Sequence, residues 1–373
     1  MKRGTHRFLL FALVLVGAIV AVSCASKPAT PATPSPAPTP AVTPTPATPA
    51  TPTVSQEDLD KLLAQAKDLK KKAFDLQLFE VLPDDYKAAD ATLTTGQSAY
   101  DAKDTVAAKD SLTKAVSMFQ DVISKGVVEL AAQKRKSADD MKAAALKQGA
   151  DQKNADRYSP AEQSYSAAAA LVDAGKYEDA IGGFDHARVQ YEIAYKKSLA
   201  GDLRGSIAQG DYSKWDTGNF QLAENKYTAE DGLWAAGTDK DLASDIDSLD
   251  EAILRYNLVI QKGKEMVATG AKSATDDAKA KSDAIKADVA VKDLYDTAQS
   301  SYEDASTQFN SGNYDTATTE FQTATDQFDT AYQEAAKKRD AAQAAMQAAD
   351  QATAQSQKTA QDADSQVNQP AAQ

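Results

Sequence analysis

One cysteine, Cys24, and two histidines, His6 and His186, stand in a chain of 373 residues. A single thiol excludes an internal disulfide and a thiolate metal site. One of the histidines falls among the first seven residues. That argues against a Ser-His-Asp triad, a multi-His zinc site or a histidine proton relay. Beyond residue 53 only three prolines remain, Pro83, Pro160 and Pro370. No alternation of apolar and polar residues extends past a few positions, which argues against sheet. The longest apolar run, residues 8–22, is 15 residues, short of the roughly 20 that a membrane-spanning helix needs. Cations are the minority charge, 41 against 54, for a net −13. That balance argues against nucleic acid and anionic membrane surfaces as partners. Phosphate loops, dinucleotide fingerprints and nucleophile elbows are likewise missing, so no cofactor, no metal and no catalytic residue is expected.

The apolar run follows Lys2, Arg3 and Arg7 and leads to Ala21-Val22-Ser23-Cys24. Basic, then apolar, then small is the pattern of a secretory signal, placed at residues 1–23. Its removal takes the net charge from −13 to −16, because those three cations go with it. Ala21 to Cys24 resembles the lipobox of bacterial lipoproteins, with Ala21 where leucine is usual. The resemblance implies a diacylglyceryl thioether on Cys24 and an acylated amine, making membrane lipid a partner. Stable anchoring takes two acyl chains, at about 0.8 kcal/mol per buried methylene. Ala25 and Ser26 follow the cysteine, with no Asp at the second position. By the lipoprotein resemblance this implies anchoring at the outer membrane, on its periplasmic or its surface face. Residues 24–53 continue as Pro, Thr and Ala, with ten of the 13 prolines. They form a disordered tether of polyproline character, reaching about 80 Å.

From residue 54 the composition turns to Ala, Asp, Lys and Gln with aromatics at intervals, which favours helix. The body repeats itself. Tyr158, Ala161, Tyr165, Ala168, Gly175, Tyr177, Ala180, Phe184 and Ala187 recur later, at the same spacing, as Tyr295, Ala298, Tyr302, Ala305, Gly312, Tyr314, Ala317, Phe321 and Ala324. A weaker copy lies upstream, with Tyr86, Ala89, Leu93, Leu112 and Phe119, and another runs from Phe220 through Tyr256. The expected fold is all-α: an elongated array of antiparallel helical hairpins or three-helix bundles, in four tandem copies after the tether. The copies are placed at residues 54–125, 126–197, 198–262 and 263–345. A Gln/Ala-rich tail at 346–373 is expected to fray or be disordered.

Within a copy, positions such as Ala180, Phe184, Ala187, Tyr191 and Ala194 step by three and four, a heptad seam in which small Ala leaves room for aromatic knobs. Gly175 and Gly312 mark hairpin turns. Ser159-Pro160-Ala161-Glu162 reads as a helix start with a capping serine. Residues 105–149 form one helix of about 68 Å, in which Gly126, like Gly263 in its counterpart, is expected to bend or break the rod.

Gly175-Lys176-Tyr177-Glu178-Asp179-Ala180-Ile181, with Phe184 and Ala187, resembles the second half of a tetratricopeptide repeat. The copies here restart at roughly twice the period of that repeat. Gly149-Ala150, Tyr158-Ser159-Pro160 and Gly175-Lys176-Tyr177 together resemble an uncharacterised Ala-rich helical-hairpin domain of bacterial envelope lipoproteins. That resemblance implies an envelope location and no activity.

The paired carboxylates Asp139-Asp140 and Asp276-Asp277 read as solvated helix face, because neighbours on a helix do not face one another. His186 reads as a flanking residue. Tyr212, Trp215 and Phe220 crowd into nine residues of a segment of turn formers, Trp215 without a counterpart in the other connectors, and are the candidate partner-binding residues. The expected function is non-enzymatic: a lipid-anchored structural spacer or protein-interaction scaffold of the bacterial envelope, with other envelope proteins as partners. The alternative is a tetratricopeptide-like module that binds a solute or peptide for a transporter.

Overall fold

The structure, a computed structural model, describes residues 55–236 and 239–367. The signal, Cys24 and the tether lie outside the described residues. All regular structure among the described residues is helical. In chain order the helices are α1 (Gln56–Asp75), α2 (Leu78–Val81), α3 (Pro83–Asp101), α4 (Thr105–Lys147), α5 (Ala150–Lys153), α6 (Ala155–Asp173) and α7 (Tyr177–Gly210). A 3-10 turn, η1 (Tyr212–Lys214), leads to α8 (Thr217–Ala236), α9 (Asp239–Ala284), α10 (Ala287–Ala290), α11 (Lys292–Asn310) and α12 (Tyr314–Val367).

The body is an elongated all-α array built on four long helices. α4, α7, α9 and α12 pack in succession, α4 on α7, α7 on α9 and α9 on α12. The shorter α3, α6, α8 and α11 each form a hairpin with the long helix that follows them. α4, α7 and α9 therefore serve twice: the first half of each closes one three-helix packet and the second half opens the next. The expected boundaries at 126, 198 and 263 fall inside α4, α7 and α9 for this reason.

The helix that opens each packet carries a small or aliphatic residue every seventh position. These are Leu59, Ala66 and Ala73 in α1, Ala131, Ala138 and Ala145 in α4, Ile193, Ala200 and Ile207 in α7, and Ala268, Thr275 and Ser282 in α9, all 1% exposed or less. The aromatic knobs come from the hairpin facing them, and Phe119, Phe184, Tyr191, Tyr256, Phe321 and Phe328 are fully buried. Their rings meet the tyrosines of the second helix edge to face, as with Tyr165 on Phe184 at 5.4 Å and Tyr302 on Phe321 at 5.7 Å. Such pairs add about 0.5–1.5 kcal/mol beyond area burial. The two hydroxyls on the α9 seam are satisfied across the packet. Thr275 Oγ1 donates to the Phe321 carbonyl at 2.9 Å and Ser282 Oγ to the Phe328 carbonyl at 2.7 Å.

Gly126 and Gly263 do not break their helices, because α4 and α9 run through them. Each is instead a socket. A Cβ at Gly126 would lie 2.9 Å from Leu78 Cδ1, and one at Gly263 would run into the Tyr212 ring. The plugs are Leu78 of α2 and Tyr212 of η1, the short elements that open each hairpin. In the other two packets the plugs shrink to the buried Ala150 and Ala287, and the sockets fill to Ser198 and Ala335. A large plug meets glycine and a small plug meets a residue with a Cβ.

Two further expectations are corrected. Ser159 does not cap a helix: α6 starts at Ala155 after Asn154, and Pro160 lies inside it. The start moves upstream because Arg157 and Tyr158 are drawn into buried contacts and so into the helix. Glu162, read as part of a capping box, instead accepts from Tyr191 Oη at 2.6 Å and Lys142 Nζ at 2.8 Å. The residues from 346 to Val367, expected to fray, continue α12 as helix. Ala and Gln are strong helix formers and nothing between Tyr314 and Val367 interrupts them.

Candidate functional site

The densest cluster of buried charge lies where the second packet meets the third. Arg157 near the start of α6, Lys197 in α7 and Glu230 in α8 are all buried, Glu230 completely. Arg157 grips Glu230 with two nitrogens, Nε to Oε1 at 3.0 Å and Nη2 to Oε2 at 3.2 Å. Lys197 Nζ reaches the same carboxylate at 2.6 Å and donates to the Tyr227 carbonyl at 2.9 Å. Asp231 completes the neutralisation, 3.0 Å from Lys197 Nζ, while Asp156 pairs with Arg157 from the α6 side. Aromatic faces cover both cations: Trp234 lies 5.3 Å from the Arg157 guanidinium and Tyr227 lies 3.8 Å from Lys197 Nζ.

Burial works against the Arg157 charge, but Glu230, Asp156 and Asp231 outweigh it and raise its pKa. Burial likewise works against ionised Asp231, yet the hydrogen bond and charge of Lys197, with Arg157, hold the carboxyl below its usual range. Every charge in the cluster has an opposite neighbour. Such an arrangement contains no base or nucleophile poised for chemistry. What it can do is fix α8 onto α6 and α7, since removing one member strands the rest in a low dielectric.

A lighter version of this clasp recurs along the array. A cation on the opening helix meets a carboxylate on the second helix, and a tyrosine of the third donates to that carboxylate. Lys142, Glu162 and Tyr191 form one instance. Arg204, Glu224 and Tyr256 form another, with Arg204 Nε to Glu224 Oε1 at 2.7 Å and Tyr256 Oη to the same oxygen at 2.5 Å. Lys70 and Asp90 pair at the matching place in the first packet. Burial and the adjacent Glu162 push the Tyr191 hydroxyl well above its ordinary value, and burial and Glu224 do the same to Tyr256. The two carboxyls move the other way: burial would raise them, but their hydrogen-bond donors prevail and lower them. Asp276, read as solvated face, accepts from Tyr302 Oη at 2.6 Å and Lys272 Nζ at 2.9 Å, so it too clasps two helices.

The structure separates the three candidate partner-binding aromatics. Tyr212 is the plug over Gly263 and belongs to the third packet's core. Phe220 packs at 6.3 Å on the buried Tyr256 ring. Both are held by packing, because η1 and the first turn of α8 sit directly on α9. Trp215 stays half-buried at the surface, 6.3 Å from Tyr212 and with Lys214 Nζ 4.2 Å above its ring. The segment is a built corner: Asp216 accepts from the Asn219 backbone N–H at 3.1 Å, and Arg255 donates to Asn219 Oδ1 at 2.9 Å. The buried ionic cluster escaped the sequence reading. Its signal was the loss of repeat phase, since the later copy has Leu294 and Glu334 at the positions of Arg157 and Lys197.

Open clefts are spread along the array. One of about 460 Å³ runs between Ile260–Lys264 and Gly312–Thr316, and one of about 220 Å³ is lined by Asp185, His186 and Leu242. Among the described residues no three His, Cys, Asp or Glu side chains gather as a metal site, and no helix is long and apolar enough to cross a membrane.

No protein family and no solved structure matches the chain. It is similar to treponemal membrane protein A of Treponema phagedenis, 28% identical over 175 residues. The match covers 47% of this chain and 50% of that protein, so the chain spans about half the length of the curated relative it matches.

Proposed function

We propose that the protein is a lipid-anchored, non-enzymatic spacer and interaction scaffold of the bacterial cell envelope. The observation that carries this reading is the sharing of long helices between successive packets. It sets distance along one direction and commits the buried charge to joining helices. The N-terminal pattern ending at Cys24 and the membrane protein similar to this chain support the envelope location. Acylated Cys24 would hold the chain at the membrane and the helical body would engage protein partners, and outer-membrane anchoring is the finer form of the proposal. Of the three aromatics singled out, Trp215 with Lys214 is the one positioned to touch a partner.

The internal repeat supplies the test. Deleting residues 126–262 joins Lys125 to Gly263 in the register of the duplication, so α4 continues as the second half of α9. A spacer shortened this way keeps its helicity and melting behaviour but brings membrane and partner closer, which tomography of cell envelopes measures. An unchanged envelope spacing with the shortened protein in place would overturn the spacer role. Cys24→Ala should move the protein from the membrane fraction to the soluble fraction without loss of helix content, and retention in the membrane would remove the lipid anchor.

A further inference from the structure

The second half of α12 stands where a fifth packet would open. Its seam continues in phase from the buried Ala335 as Ala342, Ala349, Ser356 and Ala363, with Ala345, Ala352 and Thr359 three positions after the first three of these. In α7, the counterpart of α12, the seam that opens the next packet is Ile193, Ala200 and Ile207 and is covered by a hairpin; its equivalents in α12 are Thr330, Lys337 and Ala344, on a different face. In α12 every residue from Lys337 to Val367 is exposed.

A hairpin like those inside the array does not suit this seam. The covered opening helices flank their small residues with larger ones, Leu62, Leu63 and Leu69 in α1 and Leu130 and Met141 in α4. Over residues 336–367 only Met346 and Val367 exceed alanine among the apolar residues. At the base of the segment, where α8 brings carboxylates to Arg157 and Lys197, the equivalents are Leu294 and Glu334, beside an open cleft of about 360 Å³. A seam of Ala, Ser and Thr instead allows two helix axes to approach to about 8 Å.

The charges choose the occupant and its direction. Residues 336–349 carry Lys337, Lys338 and Arg339 against Asp340, net +2. Residues 350–367 carry Asp350, Asp362 and Asp364 against Lys358, net −2. We propose that this segment pairs with the same segment of a second copy, antiparallel, over about 48 Å of helix. In the register that alternates seam positions, Ala342 faces Thr359, Ala345 faces Ser356 and Ala349 faces Ala352 of the partner. Lys338, which within its own chain donates to the Ala290 carbonyl at 2.7 Å, then lies opposite Ala363 between Asp362 and Asp364, and the basic stretch of each helix lies beside the acidic stretch of the other. Parallel pairing would set Lys337 to Arg339 against itself. The seam is continuous with the α9–α12 interface, so the dimer extends a surface the fold already uses.

The test uses full-length chains carrying Cys24→Ser, so that an introduced thiol is the sole one. Ala345→Cys and Ser356→Cys chains are mixed and treated with a short crosslinker that joins two thiols. Antiparallel pairing gives the mixed dimer and little product from either chain alone, since like positions then lie about 16 Å apart along the axis. Product from each chain alone would mean parallel pairing and overturn the proposal. So would the absence of any product together with a monomer mass by sedimentation up to about 200 µM. Asp362→Lys with Asp364→Lys should lower the crosslinked fraction at least fivefold, and adding Lys337→Glu with Lys338→Glu should restore it. Asp362 and Asp364 are exposed, while Lys337 and Lys338 also contact Glu334 and the Ala290 carbonyl within the chain, so the melting temperature of the body is measured for each variant as the control for folding.

Discussion

The second and fourth packets are copies of one another, and they differ most where a neighbour does or does not arrive. At the end of the second packet, Arg157 and Lys197 are buried because α8 brings Glu230 and Asp231 to them. At the same place in the fourth, Leu294 is 40% exposed and Glu334 pairs at the surface with Lys337 at 2.6 Å. Duplicated sequence kept the core seam in both and let the outer face diverge. Cations went inside only where carboxylates came to meet them, as the cost of burying an unpaired charge requires.

Removing one charge at each end should therefore have very different results. Glu230→Leu leaves Arg157 and Lys197 buried against fewer anions and should destabilise the body by about 3–5 kcal/mol. Glu334→Leu at the matching end should change stability by less than about 0.5 kcal/mol. Urea denaturation of the two variants checks this, and equal midpoints would end the comparison. Replacing all three buried charges by apolar residues, with Arg157→Leu, Lys197→Met and Glu230→Leu together, should recover most of the loss.

A titration sharpens the same contrast. Glu162, Glu224 and Asp231 are held below their unfolded values. Their contribution is complete above about pH 5 and disappears as the pH falls through the lower folded values. Tyr158, Tyr191 and Tyr256 are raised by burial and by their carboxylate neighbours. Their contribution is complete below about pH 10 and is lost above it. Melting temperatures should hold a plateau between these limits and fall on both sides. Hydrogen exchange at pH 4 should show α6 and α8 losing protection before the first packet, where no described carboxylate of this kind is paired with a tyrosine of the third helix.

An effect well below that of Glu230→Leu lies in the connectors. Gly149 and Lys286 are equivalent, and both have left-handed backbone, with φ of 74° and 61°. Lys286→Gly should stabilise the body by about 1 kcal/mol, and Gly149→Ala should destabilise it by a similar amount. Thermal melts that rank the two variants the other way would show that the connectors differ in more than residue type.

The helical class, the seam and the shared long helices were legible in the sequence because each rests on spacing, and spacing survives divergence. Tyr191 and Phe328 could be placed in the core from the heptad alone. The left-handed residues were legible only where they were glycine. Gln77, Lys103, Asp211 and Lys286 occupy the same kind of position with φ between 52° and 61° and carry no comparable signal. Gly126 and Gly263 were visible but misread, because a glycine that admits a neighbour's side chain looks the same in sequence as one that ends a helix. The charge cluster was the least legible. Arg157, Lys197 and Glu230 lie far apart along the chain, in three different helices, and no local pattern links them.

Because α4, α7 and α9 each belong to two packets, no flexible joint separates one packet from the next. A pull along the array would act on α4, α7 and α9 as sideways slip between packed helices, resisted at once by every plug, clasp and ring along their length. A loop-linked chain of domains yields one domain at a time and lengthens in steps. Here the yielding of one packet withdraws a wall from its neighbour, so the array should hold a fixed length up to a threshold and then give way as a unit.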